Sequence, residues 1–181
     1  MRWLGLVLAA YVLVALETAL GGVWALGAVR PALLLVLMVV VALHGRAMVA
    51  AWVALCLGVL MDVRWGTPVA GATATLGPWA LGMLAGCWAV LQLRHLLFRD
   101  AAATVGLMCF VAGVPMVLTA VLLYSVRDLI GPAEAMPGFG AWSRLGVGLA
   151  TVAYTAAVGL PLGWVLQRMR PWLGVGGTAG R

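Results

Sequence analysis

Three residues in this chain could carry chemistry: Glu17, Asp62 and Arg64. Only five residues of 181 are acidic, and these two carboxylates lie in or directly after apolar runs. Glu17 sits 14 positions past Trp3, which is roughly 20 Å along a helix. A carboxylate at such depth is costly unless paired or wetted, and it often marks an ion or proton path. The alternative is that the helix ends nearby, with Glu17 at the interface and Arg30 as its partner. Asp62 and Arg64 fall in "GVLMDVRWGTPVAGATATLG", residues 58–77. Two positions apart on one helix they do not face each other. They are expected to mark the end of the third apolar segment. A carboxylate there opposes the helix macrodipole and calls for a cation, and Arg64 is the nearest in sequence. "RWGTP" then predicts a turn, because Gly66 is permissive and Pro68 disfavours helix at Thr67.

The remaining reactive side chains form no constellation. His44 and His95 stand at breaks between apolar runs beside arginines, as interfacial residues do. Cys56, Cys87 and Cys109 lie singly inside apolar runs without CxxC spacing, and are expected to be small helix residues, not a disulfide or metal set. No Gly-x-Ser-x-Gly, HExxH, phosphate-cradling loop or carboxylate pair on one helix occurs. Neither an enzyme nor a cofactor or metal requirement is expected.

The elements that would hold these residues belong to a membrane. The chain is 65% hydrophobic and 9% charged, against about 25% charged in soluble domains. All eleven basic residues are arginines, and they are scattered through short breaks. Scattering of this kind argues against a nucleic-acid surface and fits membrane orientation. The expected organisation is one integral membrane domain over 1–170 and a Gly-rich, flexible tail over 171–181.

Six apolar segments predict an all-α, polytopic fold with about six transmembrane helices. The first runs from about Trp3 to Leu26, and is an uncleaved helix in preference to a signal peptide because apolar segments follow at once. The second, Pro31 to Leu43, has 13 residues, or about 20 Å of helix, against a hydrocarbon core of about 30 Å. The third, Ala47 to Met61, is similarly short, so helices two and three read as a short hairpin. The others span about Gly71 to Leu93, Ala101 to Val126 around Pro115, and Leu145 to Gln167 around Pro161. Gly82 and Gly86 in the fourth segment, and Gly159 and Gly163 in the sixth, have the GxxxG spacing of close helix contacts. With both termini inside, seven arginines (2, 46, 94, 99, 168, 170, 181) are cytoplasmic and four (30, 64, 127, 144) are outside. The positive-inside rule therefore places both termini in the cytoplasm.

The stretch "LGVLMDVRWGTPVAGATATLGPWALGMLAG" resembles the signature region of the MreD family of bacterial rod shape-determining membrane proteins. The positions that carry the likeness are Gly58, Asp62, Gly66, Gly71 and "MLAG" at 83–86, followed by the basic break "RHLLFR". "RPALLLVLMVVVALHGR" is similar to the family's second-helix entry. Ala32 stands where the family often has an acidic residue, and Ala72 and Thr73 where an Asn is frequent. The resemblance implies an inner-membrane scaffold of lateral peptidoglycan synthesis. Its partners would be the bitopic protein MreC and, directly or through it, MreB, RodA and a class B penicillin-binding protein. It also implies that Asp62 forms a structural corner. Within segment one, Gly5 and Ala9 are the small residues expected at the MreC contact. The family is similar in fold to the substrate-binding subunits of energy-coupling-factor vitamin transporters, so a small-molecule-binding transporter subunit is the alternative.

Overall fold

The computed structural model describes residues 3–65, 77–95, 102–130 and 141–169, and apart from the turn after the first helix they are chiefly helical. Six helices follow in order: α1 Trp3–Leu20, α2 Leu33–His44, α3 Ala47–Trp65, α4 Pro78–Leu93, α5 Ala102–Ile130 and α6 Ala141–Arg168. Three of them, α3, α5 and α6, are long and apolar enough to cross a membrane, while α1, α2 and α4 are apolar but shorter.

The centre of the bundle is α2. Every residue from Leu33 to Leu43 is buried, and α2 packs against α3, α4, α5 and α6, with α1 on its outer side. A helix that is apolar all round can be covered on all sides, and "LLLVLMVVVAL" has no polar stripe to turn outward. Its 12 residues make about 18 Å of helix, whereas the 29 residues of α5 make about 44 Å. The central helix therefore spans less than half the length of its longest neighbour.

The fifth helix runs on to Ile130 and the sixth starts at Ala141. The expected start of the fourth near Gly71 lies outside the described residues, and two other boundaries differ from expectation. The first helix ends at Leu20, not near Leu26, because Gly21 and Gly22 follow and glycine weakens helix continuation. A tight turn comes next: Leu26 and Val29 exchange backbone hydrogen bonds of 3.0 and 3.2 Å, with Gly27 at φ +66°. The third helix is not short. It continues through Met61 to Trp65, 19 residues in all, because both charged side chains of its last turn find partners. The shorter helices are α1, α2 and α4.

Close approach between helices relies on glycine. A Cβ at Gly82 would lie 2.6 Å from Met116 O, and one at Gly86 2.5 Å from Ala112 O, so this GxxxG face is where α4 seats on α5. Gly163 lies against Val105, and Gly159 against Cys109 and Val36. The second GxxxG pair thus packs inside the bundle, against α5 and α2.

Candidate functional site

Helix α4 begins "GPWA", with Gly77 at the N-cap and no side-chain cap of its own. The first N–H groups of a helix have no partner within it, and here they are inside the protein. Asp62 supplies the acceptor from α3. Its Oδ2 accepts from Gly77 N–H at 2.9 Å and Ala80 N–H at 3.0 Å, and its Oδ1 accepts from Trp79 N–H at 3.0 Å. Pro78 has no N–H to satisfy. One buried carboxylate, 1% exposed, thus caps every donor from Gly77 to Ala80, at the end of a helix where negative charge is stabilising. One turn back on α3, a Cβ at Gly58 would lie 2.4 Å from Ala80 Cα. Gly58 admits the helix that Asp62 holds.

The expected partner of Asp62, Arg64, is engaged elsewhere. Arg64 Nη1 lies 3.3 Å from Glu17 Oε1, and its Nη2 donates to Thr18 Oγ1 at 3.3 Å. Glu17 is 8% exposed, and Arg64 is a cation it pairs with. Arg30, the cation expected from the sequence, lines a small adjoining cavity of about 100 Å³ with Glu17, Trp24 and Arg64. The pair ties the end of α1 to the end of α3. Asp62 needs no side-chain cation, because the N-terminus of α4 supplies the positive end beside it. The C-terminus of α3, taken alone, does not reveal that neighbour.

Two further residues hold α2, and neither stood out in the sequence. Thr155, fully buried on α6, accepts from Ala32 N–H at 2.9 Å and donates to Thr151 O at 2.7 Å. At the other end Arg94 Nη1 donates to Gly45 O at 2.9 Å and Ala42 O at 3.3 Å, where a helix C-terminus favours a cation. For Thr155 the signal is the absence of a local cap: α2 starts at "RPAL", so an acceptor must come from another helix; for Arg94, a donor at the other end of α2, no such signal exists.

Of the other sequence candidates, Gly5 and Ala9 are half-buried on α1, and Ala9 packs toward the core. Gly66 and Gly71 lie outside the described residues. Cys87 and Cys109 are buried and Cys56 is exposed, all as free thiols. Among the described residues no group of His, Cys, Asp and Glu gathers as a metal site.

Two larger spaces are lined by described residues. An apolar groove of about 390 Å³ runs between α1 and α3, lined by Leu6, Ala10, Tyr11, Trp52, Cys56 and Leu60 among others. A second cavity, about 490 Å³, lies where α2 begins, between Arg30, Arg64, Arg144 and the upper parts of α5 and α6. No family model matches the chain, no curated protein matches it, and no solved structure matches its fold.

Proposed function

We propose that this chain is a non-enzymatic membrane scaffold of the MreD kind. In this reading it links MreC, and through it MreB, RodA and a class B penicillin-binding protein, to lateral peptidoglycan synthesis. The observation that carries the reading is the corner between α3 and α4. The residues that resemble the family signature, Gly58 and Asp62, are the ones that seat and cap α4. Asp62, Thr155 and Arg94 each hold a helix end, and a scaffold needs side chains in that role.

All six helices cross the cytoplasmic membrane in this reading, with both termini inside. The short α2 tolerates this because protein, not lipid, surrounds it, and the bilayer can thin around α1 and α4. The single membrane helix of MreC docks along α1 and α3. Lipid tails give no hydrophobic drive for helix association, so the partner is held by shape. The groove beside Tyr11 and Cys56 offers that shape, next to the stripe of Gly5 and Ala9.

The test is genetic. Depleting the protein should convert rod-shaped cells to spheres, and resupplying the wild-type chain should restore rods. Rods that persist through complete depletion would remove the proposal. A second reading, a small-molecule-binding transporter subunit, is favoured by the 490 Å³ cavity. It predicts loss of uptake of one nutrient on depletion, with cell shape unchanged.

A further inference from the structure

The bundle carries its charge unevenly. Asp62 caps α4 and Glu17 pairs with Arg64, so the ends of α1 and α3 and the start of α4 lie together. Helix α5 runs antiparallel to α4 along Gly82 and Gly86 and finishes at the same end. At the opposite end Arg94 Nη1 donates to Gly45 O, which brings the end of α4 to the turn between α2 and α3. Thr155 meets Ala32 and Gly159 faces Val36, so α6 runs parallel to α2 and finishes there too. Counting the connection between α5 and α6, the first end has Arg30, Arg64, Arg127 and Arg144 against Glu17, Asp62, Asp128 and Glu134. Those charges cancel whichever pairs form. The opposite end has Arg46, Arg94 and Arg168, while Arg2, Arg99, Arg170 and Asp100 adjoin it in sequence, outside the described residues. Whichever arginine Asp100 meets, positive charge stays in excess at this end.

Tryptophans mark the same end. Trp52 on α3, Trp88 on α4 and Trp164 on α6 are exposed. They lie six, six and four positions inward of Arg46, Arg94 and Arg168, which is about 6–9 Å along a helix. Arg168 stands over the Trp164 ring at 5.9 Å. Indoles settle at the headgroup level of a bilayer. A guanidinium that much farther out is level with phosphate, whose oxygens its fork matches. The pairs are spread around the bundle, since α5 stands between α4 and α6. A protein partner covers one side, whereas lipid surrounds them all. We propose that this end of the bundle selects anionic phospholipids, with Arg46 and Arg168 at the headgroup phosphates and Trp52, Trp88 and Trp164 at the ester level. Arg94 adds charge, but its guanidinium is already engaged by the carbonyls of Ala42 and Gly45. The opposite end, without excess charge, makes no such selection. Selection of this kind needs a bilayer around the helices and no MreC.

The experiment uses the purified full chain in phosphatidylcholine vesicles with a trace of spin-labelled phosphatidylglycerol or spin-labelled phosphatidylcholine. Electron paramagnetic resonance reads the fraction of each label that the protein immobilises. Phosphatidylglycerol should be preferred about threefold at low salt, and the preference should fall as salt screens the exposed charges. Arg46→Gln/Arg168→Gln should remove most of it, and Arg127→Gln at the opposite end should leave it intact. Arg46 and Arg168 are both exposed, and Arg168→Gln alone keeps the test open should the double variant fail to fold. Equal immobilisation of the two labels by the wild-type chain overturns the proposal, as does a preference unchanged in the arginine variants or insensitive to salt. Equal loss in Arg127→Gln also overturns it, because charge anywhere on the chain would then suffice. An acidic protein that binds the wild-type chain but not the double variant, with no lipid preference, overturns it in favour of a protein partner. The vesicles hold no other protein, so a failure of the scaffold reading in cells leaves this ratio untouched.

Discussion

Gly58 and Asp62 lie one turn apart on α3 and act on the same end of α4. Gly58 lets the backbone of Ala80 approach to where a Cβ would stand 2.4 Å from its Cα. Asp62 then accepts the N–H of that same residue at 3.0 Å. Contact and cap depend on each other: without the glycine the carboxylate sits too far away, and without the carboxylate the tight contact buries bare N–H groups.

Asp62→Ala should therefore destabilise the fold by about 2–4 kcal/mol, since a cap contributes about 0.5–2 kcal/mol and orphaned buried donors cost more. Asp62→Asn keeps one acceptor oxygen and should lose less. Thermal unfolding in detergent should rank wild type above the asparagine variant, and that above the alanine variant. An alanine variant as stable as wild type would show that α4 does not need this cap.

Gly58→Ala should cost about 1–3 kcal/mol, the range for overpacking a filled interface. The neighbour it meets is Ala80 backbone and not a flexible side chain. The control is Gly22→Ala, because nothing lies within 4 Å of a Cβ there. Equal midpoints for the two variants would contradict the close approach.

Thr155→Val removes the acceptor of Ala32 N–H with little change of volume, and should cost about 1–3 kcal/mol. Thr155→Ser retains the hydroxyl and should sit nearer to wild type. A valine variant at least as stable as the serine variant would mean that the N-terminus of α2 finds another partner.

The helices were largely legible in the sequence because apolar runs and charged breaks divide the chain plainly. Each of the six expected segments overlaps a helix, and the stretch holding Asp62 and Arg64 does close α3. What periodicity could not show is which charged group meets which helix end. Asp62 reads as needing a cation until α4 is folded against it, and Arg64 reads as its partner until α1 delivers Glu17. The ends of segments misled for the same reason. Asp62 and Arg64 read as stopping the third helix at Met61, but tertiary partners let it run on to Trp65. In an apolar chain Thr155 and Arg94 look unremarkable, since their importance comes from Ala32 and Gly45, far away in sequence.

The proposed six-crossing topology rests on the arginines, of which it would put seven inside and four outside. Reporter fusions after Arg99 and after Arg170 should both read as cytoplasmic. An external signal at either position would invalidate the arrangement.

The scaffold proposal is tested most directly by photo-crosslinking in native membranes. A photoreactive residue replaces Tyr11, which is 73% exposed beside the groove, or Cys56 across from it. Both positions should capture one bitopic wall protein of the MreC kind, and a probe at Leu122, 63% exposed on α5, should not. Capture of that protein equally from Leu122, or from none of the three positions while cells still grow as rods, would contradict the account.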